Sequence, residues 1–249
     1  MIKLFKNLRK NFMFEGRSSK YFKYAVGEIV LVVIGILIAL QINTWNQNNQ
    51  ERTLEVKIMK EIRNNLELDL YEIREDIGIM DDINKACTYI PTFLKTKEQP
   101  TDSLFYYSIL LRVTPHFDPN KSGYGLLVSK GIGIISNDSL RNDISVLYER
   151  LYSYYRRYEE ERSRFHITHS EPQLLKYFTM EYNENYKYYG IYKVSEQDYL
   201  NLKNDQNFFK LIAAISTENS MVPNRAQRIE GKRKGLINDL DNELSNHKN

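Results

Sequence analysis

The chain has 249 residues, of which 27% are charged and 42% are hydrophobic, and its formal net charge at pH 7 is +3. This charged content excludes a protein that crosses a membrane many times, and the single cysteine, Cys87, excludes an intramolecular disulfide and a cysteine-rich metal site. The length suffices for one membrane span and an extramembrane domain of about 200 residues with its own core.

The first 24 residues are strongly basic. They contain seven Lys and Arg residues and one acid, Glu15, so their net charge is about +6. Positive residues beside a membrane span stay in the cytoplasm, so we expect the N-terminus inside and the large domain outside. The rest of the chain, Glu28 set aside, carries a net charge of about −2, which argues against nucleic-acid binding by the domain.

Residues 25–45 predict a transmembrane helix. No polar side chain occurs between Ile29 and Leu40, and a helix over this range is about 31 Å long, close to the hydrocarbon thickness of a bilayer. Aromatic residues mark both ends, with Tyr21, Phe22 and Tyr24 on one side and Trp45 on the other. A buried core helix is disfavoured because the neighbouring segments are too polar to surround it. A cleaved signal peptide is disfavoured because no second small residue follows Ala39, so we predict an uncleaved signal anchor.

Two stretches carry a resemblance to a known family. The first comprises residues 25–29 (AVGEI), 35–43 (GILIALQIN) and 45–46 (WN), and the second comprises residues 122–123, 129–131 and 135–140. The first resembles the anchor of an uncharacterised family of single-pass membrane proteins from Bacteroidota, and the second is similar to that family's central region. The resemblance implies a Gram-negative inner-membrane protein with a periplasmic helical domain. The family has no assigned activity, so no catalytic residue is implied.

One face of the predicted span carries four residues at steps of seven, four and three: Glu28, Gly35, Ala39 and Ile42. The small residues Gly35 and Ala39 allow a second helix to approach closely, which predicts a helix-contact face. An acid inside the membrane is costly and indicates function. Alternatively, Glu28 reaches the cytoplasmic interface beside Lys20 or Lys23.

Beyond Trp45 the sequence favours one long helix that ends between Pro91 and Asp102. One apolar stripe at close to the helical period consists of Met59, Ile62, Leu66, Leu70, Ile73, Ile77 and Met80. A short helix over residues 104–113 and an irregular loop over residues 116–125 follow. The glycine-rich stretch after it lacks phosphate-loop spacing, so we expect its glycines to end and begin helices, with Gly131 just past one helix and Asn137 or Asp138 capping the next.

The next helix has a seam with the spacing of coiled-coil packing: Leu140, Ile144, Leu147, Leu151, Tyr154 and Tyr158. His166 and His169 follow three residues apart. They can be read as two metal ligands, but no third ligand is implied, so an exposed helix face is the better interpretation.

A cluster of aromatic and basic residues predicts a contact surface: Tyr154, Tyr155, Arg156, Arg157 and Tyr158. Such rings can also form the floor of a glycan- or peptide-binding cleft. The alternative is that part of this cluster is core, since positions 154 and 158 also lie on the predicted seam.

The C-terminal third predicts a polar connection or short extended piece over residues 183–193, followed by three helices. Ser195 with Asp198 resembles a capping box, and Asp205 caps the second helix. The last helix follows Pro223, and Arg233 occupies its apolar stripe between Ile229 and Leu236.

We therefore predict a mainly α protein in which one N-terminal transmembrane helix continues into an extracytoplasmic antiparallel helical bundle. The predicted parts are a cytoplasmic tail (residues 1–24), the span (25–45) and a periplasmic domain (46–249). No nucleophile motif, metal motif or cofactor motif is present, so we expect no enzyme and no cofactor. The expected function is interaction or scaffolding with the lipid bilayer, copies of the chain or other envelope membrane proteins as partners. The alternative is an extracytoplasmic ligand-binding or sensor domain that signals through a membrane partner.

Overall fold

The computed structural model of the protein describes residues 18–246, and among residues 18–24 it describes side chains only for Phe22 and Lys23. Most of the basic tail and the aromatic residues Tyr21 and Tyr24 therefore lie outside the described side chains. The chain forms two compact units, which divide after Leu54. The structure is mainly helical, as predicted, with one long apolar helix near the N-terminus.

Helix α1 extends from Ser18 to Thr96 over 79 residues. The first unit contains one stretch that is long and apolar enough to cross a membrane, and none of that stretch is buried. The end of α1 falls where the sequence predicts it. Pro91 lies inside the last turns of the helix, where it removes one backbone donor without ending the helix.

The second unit contains further helices and one small sheet. The helices are α2 (Asp102–Leu110), α3 (Ser122–Lys130), α4 (Asp138–Ser145), α5 (Tyr152–Phe165), α6 (Glu171–Leu174), α7 (Glu196–Asn204), α8 (Gln206–Ser220) and α9 (Pro223–Asn246). A 3₁₀ turn covers Ile132–Ile134 and the strands are β1 (Thr179–Tyr182) and β2 (Gly190–Lys193). One apolar cluster joins the end of α1 to α2, α7, α8 and β2.

Several predicted helix ends are confirmed. The Asn137 side chain accepts from the Leu140 amide, and the Ser195 and Asp205 side chains cap α7 and α8 in the same way. Gly131 follows α3 with a φ of 94°, a conformation that favours glycine. The predicted loop over residues 116–125 is too long, because α3 already begins at Ser122.

Two π-helical segments change which side of the central helix is buried. One covers Val146–Leu151, between α4 and α5, and the other covers His166–Ser170, between α5 and α6. Each wider turn shifts the buried face along the sequence. The predicted seam is therefore correct up to Leu147 and wrong beyond it, because Tyr152 and Tyr155 are buried and Tyr154 is 43% exposed.

A β-hairpin interrupts the helical fold. Strands β1 and β2 are antiparallel, with Met180 opposite Tyr192. β2 is buried and β1 is exposed on all four residues. Of the two interpretations of residues 183–193, the extended one therefore holds for β2. Gly190 is required there, because a Cβ atom would lie 2.7 Å from the carbonyl oxygen of Glu181.

Helix α9 contacts α1 at three polar pairs: Arg63 with Asp241, Asp69 with Arg233, and Arg74 with Glu230. Residues later in α1 pair with residues earlier in α9, so the two segments run in opposite directions. Arg233 lies on the buried side of α9, between Ile229 and Leu236.

Helix α3 packs tightly on α1 through a glycine, which provides a test of this contact. A Cβ atom on Gly123 would lie 2.7 Å from the Ile62 amide nitrogen and 2.9 Å from Ile62 Cγ1. We predict that Gly123→Ala destabilises the domain by about 1–3 kcal/mol, because backbone must move to relieve the overlap. Denaturant unfolding of the full chain in detergent measures the change.

Gly125→Ala is the matched control in the same helix. No atom lies within 4 Å of the position that its Cβ would occupy. Alanine is the better helix former, so this variant should gain up to about 1 kcal/mol. Equal effects of the two substitutions would contradict the close approach of α3 to Ile62.

Candidate functional site

The buried face of α1 in the second unit carries acids where a helical packing seam normally carries aliphatic residues. This face repeats at alternating steps of four and three residues from Glu55 to Leu94. Asp69 and Asp76 occupy two of its positions and are 2% and 6% exposed. The predicted stripe instead used their apolar neighbours Leu70 and Ile77, which are only partly buried.

Two further polar side chains on this buried face, Asn65 and Glu55, accept hydrogen bonds from the start of α3 and from Ser136. Asn65 Oδ1 accepts from the Gly123 amide at 2.9 Å and from the Ser122 hydroxyl at 3.0 Å. It thereby satisfies amide and hydroxyl donors in the first turn of α3. Glu55 Oε1 accepts from both the amide and the hydroxyl of Ser136 at 2.7 Å.

Residues 111–121, which we call the connecting segment, join α2 to α3 and lie over this polar face. Asp69 Oδ1 accepts from the Asn120 amide at 3.0 Å, and Glu159 Oε1 accepts from the Phe117 amide at 2.9 Å. Arg162 donates through Nη2 to the carbonyl oxygen of Pro115. Charged side chains of α1 and α5 therefore hold this segment at Pro115, Phe117 and Asn120, beyond the turn in which residues 111–113 donate to carbonyl oxygens of α2.

The first buried charge cluster consists of Asp69 and Arg233. Arg233 is fully buried, donates to the Tyr152 hydroxyl at 2.8 Å and to the Asp69 carbonyl oxygen at 2.6 Å, and has Nη2 3.9 Å from Asp69 Oδ2. Its guanidinium carbon lies 4.1 Å from the centre of the Phe117 ring, a cation–π distance. Burial raises the pKa of Asp69, while the Asn120 amide and Arg233 act in the opposite direction.

The second cluster contains two acids and one base: Asp76, Glu159 and Arg162, which are 6%, 7% and 5% exposed. Burial raises the pKa of both Asp76 and Glu159 to about 7. Asp76 Oδ2 and the Nε and Nη1 atoms of Arg162 have no hydrogen-bond partner among the described residues. A small cavity beside Arg162 is also lined by His166 and Ser170 of the second π-helical segment and by residues of α1, α5, α8 and the connecting segment.

The predicted contact surface is partly exposed. Tyr154 and Tyr158 share a hydrogen bond of 2.9 Å between their hydroxyls, and the Arg225 guanidinium lies 3.5 Å from the centre of the Tyr158 ring. Arg157 is exposed beside them. We call Tyr154, Arg157, Tyr158 and Arg225 the tyrosine–arginine patch.

Two residues of the predicted contact surface lie elsewhere. Tyr155 is 1% exposed, so its inclusion was wrong: the preceding π-helical segment turns it into the core. Arg156 is exposed and donates to Asp118 at 2.9 Å. Arg225 joins the patch from α9, more than 60 positions away in the sequence, so no local pattern indicates it.

A groove of about 460 Å³ lies between the end of α5, α6 and the start of α8. Phe165, Tyr177 and Leu211 contribute apolar surface, and Lys176 and Lys210 contribute positive charge. Its volume is in the range of small-molecule sites. His169 lines this groove and is exposed, as predicted, whereas His166 is buried, which is contrary to the predicted exposed face. In residues 18–246 no group of three potential metal ligands was found.

The predicted helix-contact face of the span lies in the first unit. Gly35, Ala39 and Ile42 are exposed and Glu28 is partly exposed. No atom lies within 4 Å of the position of a Cβ on Gly35. This side of the helix therefore has room for a partner, and its contact with another helix stays a prediction.

Comparison with known proteins places the chain in a family of unknown function, DUF6090, which matches residues 28–220. The match includes most of α1 and continues to the end of α8, so the chain belongs to this family. No curated protein and no solved structure matches the chain.

The Asp69–Arg233 cluster can be tested by removing its base. We predict that Arg233→Met destabilises the domain by about 3–5 kcal/mol, because Asp69 and the Tyr152 hydroxyl lose a buried partner. Lys234→Met is the matched control, since Lys234 is half exposed and pairs with Glu230 at the surface; it should change stability little. Equal denaturation midpoints for Arg233→Met and the wild type would contradict this role.

Proposed function

We propose that the protein is a single-pass protein of a Gram-negative inner membrane, with a cytoplasmic N-terminus and a periplasmic antiparallel helical bundle that binds other envelope proteins. The apolar, exposed stretch of α1 supports the anchor, and the basic residues before it support the orientation.

The observation that carries the interaction role is the tyrosine–arginine patch. Tyr and Arg are the residues most enriched at energetically important positions of protein interfaces. Here the two hydroxyls and the guanidinium are already ordered by contacts with each other. Preordered side chains lose less conformational entropy when a partner binds.

The span supplies a second proposed contact. The face of Glu28, Gly35, Ala39 and Ile42 is suited to a second transmembrane helix, either from another copy of the chain or from a different membrane protein. Lipid gives apolar helices little reason to associate, so close packing over Gly35 and Ala39 would provide the attraction.

A ligand-binding or sensor role is the second candidate, and the groove beside Phe165 favours it. Its apolar floor and lysine rim suit an organic anion with an apolar body. Native mass spectrometry of the purified chain distinguishes the two functions. A retained small molecule without a retained protein favours the sensor, and a retained protein favours the interaction module.

The interaction role predicts that the patch determines partner recovery. Tyr154→Ala combined with Arg157→Ala should lower the recovery of co-purified envelope proteins at least about tenfold, since interface tyrosine and arginine residues often contribute about 2 kcal/mol each. Affinity purification of the full chain from detergent-solubilised membranes, followed by quantitative mass spectrometry, measures the recovery.

Tyr71→Ala is the matched control, because Tyr71 is 68% exposed on α1 and outside the patch. It should leave recovery unchanged. Unchanged recovery with the double variant, in a chain whose circular dichroism matches the wild type, would refute the patch as the binding surface.

The orientation predicts the side of the membrane on which the C-terminus lies. Alkaline phosphatase fused after Asn249 should be active, because it folds only outside the cytoplasm, and a green fluorescent protein fusion at the same site should be dark. Replacing the basic residues of the tail by Gln should reduce this difference. A fluorescent fusion with inactive phosphatase would reverse the orientation.

A further inference from the structure

The two buried clusters of the domain differ in their balance of charge. Asp69 faces one guanidinium, that of Arg233. Arg162 is the cation whose charge acts on both Asp76 and Glu159. If both carboxyls were ionised, the second cluster would hold a net negative charge in the core, which is costly because burial removes solvation.

Among residues 18–246, the charges that act on Asp76 and Glu159 include no cation besides Arg162. On α1, Glu72 and Glu75 add negative charge near Asp76. On α5, Tyr155 is buried, and burial followed by the charges of Glu159 and Asp76 raises the pKa of its hydroxyl, so it stays neutral. Glu218, a further acid, and His166 line the same cavity as Arg162.

His166 does not compensate for the excess acid. It is 9% exposed, and burial lowers its pKa, so it is neutral near pH 7. On the connecting segment, Asp118 pairs with Arg156 at the surface, and the segment meets the cluster through backbone groups of Pro115 and Phe117.

We propose that Asp76 and Glu159 form a binding site for one exchangeable proton, and that this proton holds the connecting segment in place. With one proton the cluster is neutral: one carboxylate balances Arg162, and the protonated carboxyl can donate to a neighbouring oxygen. Asp76 Oδ2, which has no partner among the described residues, provides an oxygen for this proton.

Release of the proton places a second negative charge beside the first. The charge of Asp76 further raises the pKa of Glu159, so the protonation of one acid affects that of the other. Repulsion between the two carboxylates then opposes the packing of α1 against α5. Helix α5 carries the acceptor of the Phe117 amide and the donor to the Pro115 carbonyl oxygen. The connecting segment is therefore the part of the domain that depends most directly on this packing.

The direction of the pH effect follows from the raised pKa values of about 7. A carboxyl whose pKa is higher in the folded state than in the unfolded state stabilises the fold fully only below its unfolded value, and this contribution disappears as the pH rises through about 7. His166 has the opposite pH dependence. Because its pKa is lowered in the folded state, its protonation reduces stability as the pH falls.

The experiment is denaturant unfolding of the full chain in detergent between about pH 6 and about pH 8.5. The wild-type midpoint should fall as the pH rises. Asp76→Asn leaves one acid for Arg162, so it should flatten this fall and should be more stable than the wild type at the alkaline end. Glu159→Gln should flatten it as well, with a lower midpoint throughout because the Phe117 amide loses a charged acceptor.

Two comparisons separate this proposal from a purely structural role. Asp69→Asn disturbs the balanced cluster and should lower the midpoint at every pH, and Glu160→Gln, at an exposed position beside Glu159, should change nothing. Infrared difference spectroscopy should detect a protonated carboxyl near pH 6 that disappears by about pH 8.5 and is absent in Asp76→Asn. An Asp76→Asn profile parallel to that of the wild type, or no protonated carboxyl in the wild type, would overturn the proposal.

Discussion

The need to partner the buried charges of α1 is the constraint on which the rest of the domain depends. Asp69 and Asp76 sit on the packing face of a long helix, and a buried carboxylate without partners costs several kcal/mol. Their partners come from α5, from α9 and from the connecting segment. One helix thus brings together parts of the chain that are more than 150 positions apart, as Asp69 and Arg233 are.

The same contacts explain how an irregular segment is accommodated over the core. Residues 111–113 donate to carbonyl oxygens of α2. Further along the segment, side chains of α1 and α5 bond to the backbone groups of Pro115, Phe117 and Asn120. Arg233 adds a cation–π contact beneath Phe117. This arrangement keeps the segment ordered, but it makes its position sensitive to the charge of the groups below it.

The surface of the domain has a different character from its core. The tyrosine–arginine patch and the groove beside Phe165 are formed by residues from α5, α6, α8 and α9. Both include residues of α5, and the patch also includes Arg225 of α9; these two helices supply charges to the buried clusters, and binding surfaces need such support. An apolar helix long enough to span a membrane and exposed surfaces on the second unit are together compatible with the proposed role in protein contacts.

The sequence alone determines the long N-terminal helix, its apolar stretch and most helix ends, because helical periodicity and capping are local properties. It predicts Asn137, Ser195 and Asp205 as caps and places the end of α1 correctly. It does not predict that Tyr155 is buried, because the π-helical segment before this residue shifts the buried face by one residue. Hydrophobic spacing alone does not reveal such a segment. It also selects Leu70 and Ile77 over Asp69 and Asp76, since an acid looks like a surface residue until its partner is known. Arg233, Arg162 and Glu159 provide those partners from distant positions, and only the tertiary structure decides which charges are buried together.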